Sequence, residues 1–596
     1  METIIGIDLG TTNSEVAVIR NGRAEVLVDE TGEKMLPSVV GFDEQGTLLV
    51  GAAARNQWLL APERTVRSVK RLMGSDERVR LGDQQYSPQE ISAIILRTLK
   101  ERAEKALGEP LKKAVITVPA FFNETQREAT REAGEMAGLE VVRIINEPTA
   151  ASLTYDPQPD RLERLLVYDL GGGTFDVSIV QVEQQVVEVL ASHGDTHLGG
   201  DDFDQLLLDY VAQRFLDDHG VDLRTAPTSK SRLLQAVEEA KKALSAEPVA
   251  QLREEFIAEK KGTPLHLSME IRREDYEAMV EPLLEKTLKC VDEALSDAQL
   301  TANQIDTVVL VGGASRTPIV QRLLSEQLGK PVHTEVDPDL CVAMGAAVQA
   351  GLIAGIDVGP VLVDITPHTL GISTLGTLHG FPSPHHFAPV IPRNTSLPAR
   401  RSQIFYTCQD NQEAADISVY QGEDEDVRYN DQIGEFLLED LSEAKAGNEI
   451  LVRFELDLSG LLKVTAVERI TGREKQLTFN NAVSRFRISS REAAQQRIDS
   501  AFAAGAVPPP KGEQLPVAAD SAADEELPAP LRKAILHAEG LILKAEKAVD
   551  RAAAEDAAEI RRLIDRIRQA IAAHDAQAIE AAAAELEDLV FYLQDA

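Results

Sequence analysis

The 596-residue chain is long enough for about three or four domains with sizeable cores, and its 43% hydrophobic content fits a globular protein. A formal charge of −36 excludes nucleic acid as a partner, because binding phosphates takes clustered Lys and Arg, and it disfavours docking on anionic membranes. The acidity reads as a solvated surface.

In chain order, Ile4-Ile5-Gly6-Ile7-Asp8-Leu9-Gly10-Thr11-Thr12-Asn13-Ser14 reads as a buried strand, a glycine-hydroxyl turn and a second strand. Helical spacing follows at 88–107 and 124–137, with a strand at Ala114–Val118 between them. The opening pattern returns as Leu166-Val167-Tyr168-Asp169-Leu170-Gly171-Gly172-Gly173-Thr174-Phe175-Asp176. In both copies an aspartate ends an apolar strand, and a turn without bulky side chains lets backbone N–H groups approach an anion. An aspartate tolerates a phosphate beside it only when a hard cation separates the two, which points to hydrated Mg²⁺. Two such hairpins would grip the phosphates of one nucleotide from opposite sides.

Helices are predicted at 201–218, 230–245 and 274–296, then a strand at Thr307–Val311. A third glycine turn, Gly312-Gly313-Ala314-Ser315-Arg316, is an ordinary connector taken alone. With the other two it makes a nucleoside clamp, the Arg316 plane stacking on a base. No GxxxxGK[ST] occurs, so the chain is not a P-loop ATPase. Residues 1–355 thus predict an α/β region of two related halves.

A connector at 356–364 carries the apolar triplet Val361-Leu362-Val363, which an inert linker would not need, and reads as a strand that docks in one nucleotide state. Short alternating strands with Gly, Asn and Asp turns predict an antiparallel β-sandwich over 365–486. A short helix at 487–504 and an Ala/Pro-rich linker at 505–530 containing Pro508-Pro509-Pro510 come next. Three apolar stripes over 531–596 predict a small helical bundle. His379, His385 and His386 fall in a loop and read as exposed histidines, not as a metal site.

Cys290, Cys341 and Cys408 lie far apart without metal-ligand spacing, so neither a disulfide framework nor zinc is indicated. No secretory signal and no apolar run near the roughly 18 residues of a membrane span are found. The expected location is the cytoplasm.

Several motifs in the right order, Asp8 to Ser14, Ile144-Ile145-Asn146-Glu147-Pro148-Thr149-Ala150-Ala151, Asp169 to Asp176, and His197-Leu198-Gly199-Gly200-Asp201-Asp202-Phe203-Asp204, resemble signatures of the 70-kilodalton heat-shock chaperone family. The resemblance runs almost continuously from residue 3 to about 480 and more loosely over 531–593. It implies an actin-like ATPase fold, a peptide-binding β-domain and a helical lid. By position, Asp8, Asp169 and Asp176 would hold Mg²⁺, mostly through its waters, with K⁺ as a further cation. Lys70 would neutralise charge on the γ-phosphate, Glu147 would orient or deprotonate the attacking water, and Thr174 would hydrogen-bond beside it. Gly10, Thr11, Thr12, Asn13, Gly171, Gly172, Gly199, Gly200, Gly312, Gly313 and Asp339 match the family's ATP-binding positions. Glu238, Lys241, Lys242, Ser245 and Arg316 match its adenosine pocket, with Lys242 standing where many relatives carry Arg.

The resemblance further assigns peptide contacts to Ile372, Leu375, Phe405, Cys408, Ala415, Ile417 and Leu461, residues that on their own read as sandwich core. Leu375 and Cys408 align with an arch over the peptide. Ala415 stands where a larger aliphatic is usual, so a wider pocket is expected. Pro119 and Arg127 match residues that relay the nucleotide state, and Arg143, Asn146 and Asp364 match positions used with J-domain co-chaperones. Implied partners are unfolded client polypeptides, a J-domain co-chaperone and a GrpE-like nucleotide exchange factor, with the protein itself a monomer.

Three departures stand out. The segment between Lys70 and Pro88 is short, Gly359-Pro360 makes the linker start less apolar, and the triple proline interrupts a lid helix that is continuous in the family. A lid so tethered would close poorly and release clients fast in the ADP state. An actin-like small-molecule kinase is disfavoured by the β-domain. A non-hydrolysing exchange factor or scaffold is disfavoured by the intact Lys70, Glu147, Asp169 and Thr174. A chaperone dedicated to one client, as in iron–sulfur assembly, differs in client and not in mechanism.

Overall fold

The sequence repeat becomes two sheets built alike. In the first, the strand order is Glu140–Asn146, Lys113–Val118, Ile4–Asp8, Asn13–Arg20, Arg23–Val26, with Leu36–Pro37 also on Asn13–Arg20. In the second it is Thr307–Val311, Glu163–Leu170, Phe175–Glu183, Val186–Asp195, Val361–Val363. Each has a parallel strand beside an antiparallel meander. Each central strand is apolar because both of its faces are covered, and each ends at its aspartate, Asp8 opposite Glu15 and Asp169 opposite Asp176.

This computed structural model describes residues 2–503, except 83, 156–160, 184–185, 331, 333–336, 459 and 479–487, and after that only scattered helical positions between 561 and 586. The chain divides into two compact units, Met1–Pro509 and Pro510–Ala596. In the second unit Leu563, Ile564, Ile567 and Leu586 are helical and buried, on the stripes read from the sequence. The linker 505–530, its triple proline and most of the bundle lie outside the described residues.

Local chemistry sets the helix ends. Pro88–Leu107 starts with a reciprocal Ser87/Glu90 capping box and stops at Gly108, and Glu124–Met136 starts with an Asn123/Gln126 box. Gly200–His219 and Arg273–Asp297 share a core with the second sheet, and Pro227–Ala246 packs on Gly200–His219 and on the hairpin strand Val249–Lys260. Between the two halves lies Cys341–Ile353, whose ten buried residues include Gly345, Ala346, Ala347 and Ala350. A helix apolar all round belongs inside, and small residues let it approach its neighbours closely. A Cβ on Gly6 would sit 2.2 Å from the Ala347 nitrogen, and one on Gly345 only 1.7 Å from the Ala150 carbonyl oxygen.

The β-domain is two four-stranded antiparallel sheets sharing one core. One orders Phe381–Ile391, Leu370–Leu378, Ala415–Gln421, Asp431–Leu438, and the other Ala399–Tyr406, Glu449–Leu456, Leu462–Glu468, Glu474–Thr478. His385 and His386, read as loop residues, lie on the strand Phe381–Ile391, because the proline-containing stretch pairs with Leu370–Leu378 as a hairpin.

The β-domain is docked on the first region. Val361–Val363 adds a parallel strand to Val186–Glu188, with Leu362 buried and Val361 exposed. Arg393 and Asn394 reach Asp297 at 2.9 and 3.0 Å, the Asn123 amide meets Asp431 at 2.9 Å, and the Glu124 N–H donates to Gln421 at 2.9 Å. The helix Ile488–Ala503 packs Ala494 and Ile498 into the core of the first half. There Arg497 Nε donates to Glu90 at 2.8 Å, and Arg97 pairs with Asp499 at 2.6 Å beneath the Phe502 ring.

Gly345→Ala places a methyl against the Ala150 carbonyl, and overpacking of this kind costs about 1–3 kcal/mol. The expected result is a lowered urea midpoint for the nucleotide-free chain; an unchanged midpoint would contradict the close packing.

Candidate functional site: a nucleotide cleft linked to the β-domain

The glycine turns meet between the two halves. A Cβ on Gly172 would come within 2.0 Å of Thr12 Oγ1, and one on Gly199 within 2.6 Å of the Gly172 backbone. The first turn is braced from behind, Ser38 Oγ donating to the Gly10 carbonyl at 2.8 Å and contacting Ser14 Oγ at 2.9 Å.

A cleft of about 580 Å³ opens there, lined by Thr11, Thr12, Asn13, Gly172, Gly200, Glu238, Lys241, Lys242, Ser245, Gly313, Arg316 and Asp339. A smaller pocket of about 90 Å³ continues inward past Gly10, Gly171 and Gly312 to Asp8, Lys70, Glu147, Asp169 and Thr174. Gly199 and Asp176 line neither. Gly199 braces the second turn, and Asp176 lies just behind the inner pocket, close enough to act on Glu147 and Asp169, with its Oδ1 accepting the Phe121 N–H at 3.0 Å.

The inner pocket is short of positive charge. Lys70, 3% exposed, is ion-paired with Glu147. Burial raises the Asp8 carboxyl, against the pull of Lys70 and a 2.7 Å hydrogen bond from Thr117. Asp169 is pushed well above the usual carboxylate range by burial and by Glu147, Asp176 and Asp8. Burial lifts Glu147 and Asp176 to about 7, opposed by Lys70 at the first and by the Phe121 N–H at the second. Carboxylate oxygens in such excess suit a hard divalent cation. Among the described residues no three acidic, His or Cys side chains form a group placed to hold an ion by themselves.

On the nucleoside side, Lys241 is committed to Asp204 at 2.8 Å and the Gly200 carbonyl at 3.0 Å, Lys242 pairs with Glu238 at 2.6 Å, and Arg316 with Asp339 at 2.6 Å. Contacts across the cleft close it. Ser68 donates to Asp201 at 2.6 Å, Arg71 bonds Asp202 at 3.0 Å, and Arg67 lies 3.6 Å from Glu238.

Behind the pocket, Arg127 donates to Asn146 at 2.6 Å and to the Ala120 carbonyl at 3.0 Å, in the turn that Pro119 opens. The Asn146 amide donates to both Asp364 oxygens at 3.1 Å, and buried Arg143 faces the same carboxylate. In the β-domain Ile372 and Ile417 are core residues, Phe405 and Ala415 pack against that core, Leu461 is partly buried, and Leu375 and Cys408 are exposed. Motif reading missed Phe121, His368, Asp297 and Arg393, which meet only through tertiary packing, and also Glu15, the buried counterpart of Asp176 in the first hairpin.

A cleft built from acidic-glycine hairpins, joined through a paired linker strand to a docked β-sandwich, is the arrangement of a nucleotide-driven chaperone. A family model described as "Hsp70 protein" matches residues 4–595, and the chain belongs to that family. Proteins named "Chaperone protein DnaK" from Thermotoga petrophila, Thermotoga maritima and Thermotoga neapolitana are each 47% identical over 484 residues, 80% of this chain and 80% of theirs. The protein is an ATP-dependent molecular chaperone and an ATPase; its family has an actin-like nucleotide domain, a β-sandwich and a helical lid, binds nucleotide with Mg²⁺ and acts on unfolded clients with co-chaperones.

A carboxyl whose pKa rises on folding favours its protonated form, so the native state loses stability as pH rises from the unfolded value to the folded one. For Asp176 that window runs from 3.8 to about 7. Asp176→Asn keeps the acceptor for Phe121. The nucleotide-free variant is expected to be more stable than the parent by more than about 1 kcal/mol at pH 8, with the gap closing towards pH 4 in urea titrations.

Proposed function

We propose that ATP lies with its adenosine among Glu238, Lys241, Lys242, Ser245, Arg316 and Asp339 and its phosphates on the turns Gly10–Asn13, Gly171–Gly172, Gly199–Gly200 and Gly312–Gly313. Asp8, Asp169 and Asp176 would hold Mg²⁺ mostly through its waters, and K⁺ would be a second cation. The ion, when bound, neutralises phosphate charge. Lys70 faces the γ-phosphate, and its ammonium keeps Glu147 ionised against burial. A carboxyl near pH 7 suits a group that orients or deprotonates water. Thr174 hydrogen-bonds beside it. Positioning and charge account for most of phosphoryl transfer, and this set provides both.

The observation that carries the coupling is the linker strand. Leu362 is buried on the sheet that ends at the Asp169–Asp176 hairpin, and Asp364 is held by Asn146, the residue before Glu147. We read this docked arrangement as the client-releasing one. Clients lie as extended peptides against Ile372, Leu375, Phe405, Cys408, Ala415, Ile417 and Leu461, with main-chain hydrogen bonds and apolar pockets. A J-domain co-chaperone would approach Arg143, Asn146 and Asp364, and a GrpE-like factor would release ADP. The expected setting is a cytoplasmic monomer, divided at 1–355, 356–364, 365–486, 487–504, 505–530 and 531–596. A single dedicated client remains compatible with the same mechanism.

Single-turnover ATP hydrolysis with and without an apolar peptide tests this reading. Thr174→Ala should slow turnover at least about tenfold. Leu362→Asp should keep basal hydrolysis and lose peptide stimulation, and retained stimulation would remove the linker from the coupling. A peptide array should show aromatic side chains accepted at the pocket of Ala415, where an ordinary leucine preference would count against a widened pocket. With the lid tethered through the triple proline, peptide release in ADP should be fast; slow dissociation rejects that part.

A further inference from the structure

Phe121 stands where three bodies meet. Its N–H donates to Asp176 Oδ1 at 3.0 Å, and its carbonyl oxygen lies 3.1 Å from His368 Nε2 in the β-domain. Its ring contacts two imidazoles. His193, from the strand Val186–Asp195, stacks at 6.0 Å and 27°, and His368 meets the ring edge-on at 4.5 Å and 61°. One residue therefore touches the acidic cluster through its amide, the second half of the nucleotide region through its ring, and the β-domain through its carbonyl and its ring.

We propose that His368 is a positioning residue that ties the docked β-domain to the Asp176 carboxylate through the backbone of Phe121, and that burial of its ring in the docked form favours the neutral imidazole over the imidazolium. The proposal deepens the coupling reading above and rests on Asp176 belonging to the nucleotide site. Beside a carbonyl, Nε2 carries the proton and donates, a role that a neutral imidazole fills with Nδ1 bare.

The surroundings disfavour a second proton. Arg127 faces His368 from the helix Glu124–Met136, and His193 faces it across Phe121, held by Asp297 at 3.0 Å with Glu293 at 3.5 Å. Asp431, on the β-domain strand that begins there, is the opposing carboxylate. Burial, assisted by Arg127 and His193 and opposed by the Phe121 carbonyl and Asp431, lowers the imidazole from 6.5 to about 4. A histidine depressed in the docked form and ordinary in the undocked form takes up a proton on undocking. Docking is then unaffected above about pH 6.5 and weakens as pH falls towards 4. Between pH 7.5 and 5.5 the docking constant should fall about tenfold through this one group.

The test uses the full chain carrying Thr174→Ala to retain ATP. The docked fraction is read from small-angle scattering in ATP and in ADP at pH 7.5 and 5.5, beside the rate of ATP-triggered peptide release. His368→Gln, whose amide can still donate to the Phe121 carbonyl, should dock and release like the parent at pH 7.5 and be about tenfold less sensitive to acid. His368→Leu should dock several-fold more weakly at pH 7.5 and share the reduced acid sensitivity. Parent-like acid sensitivity in His368→Gln, or parent-like docking and release in His368→Leu at pH 7.5, overturns the proposal. If ATP and ADP give the same docked fraction in every variant, the coupling reading itself falls and this one with it. Nucleotide-dependent docking that is indifferent to residue 368 removes only this inference.

Discussion

Asp8, Glu147, Asp169 and Asp176 are buried around a single ammonium, that of Lys70, and the surrounding structure is arranged to keep them there despite their mutual repulsion. Three of the four are held by a neighbouring group: Asp8 by Thr117, Asp176 by the Phe121 amide, Glu147 by Lys70. The strain of unneutralised charge is therefore carried by neighbours on three separate elements.

The route from the pocket to the β-domain is short. Asn146 and Glu147 are consecutive, the first bonded to Asp364 of the connector and the second to Lys70. Arg127 joins Asn146 to the Ala120 carbonyl, one residue before Phe121. Two backbone turns thus stand between the acidic centre and the docked sandwich. No long chain of side chains lies between the acidic centre and the interface.

Much of this could be read from the chain alone. The five helices expected in the first region fall within three residues of their expected ends, because Ser87, Asn123 and Gly108 are local signals, whereas the apolar helix Cys341–Ile353 was not among them. The three glycine turns converge as their repetition implied. Contacts between distant segments left no such trace. The Asp297–Arg393 pair and the His368–Phe121 contact join residues about 100 and 250 positions apart, and no periodicity encodes them. Lys70, which alone resembles a surface lysine, was identified by its motif, and its burial follows from a short 3-10 turn at Val69–Leu72 that points it inward.

Glu90 serves twice. It completes the capping box of Pro88–Leu107, donor to acceptor with Ser87, and it also receives Arg497 from the helix Ile488–Ala503, with Arg78 at 3.6 Å. Departure of that helix would leave the first turn intact, since Ser87 and Arg78 stay in place. The arm can therefore come and go like a latch on a fixed post, its grip loosened by added salt, without unravelling the element that holds it.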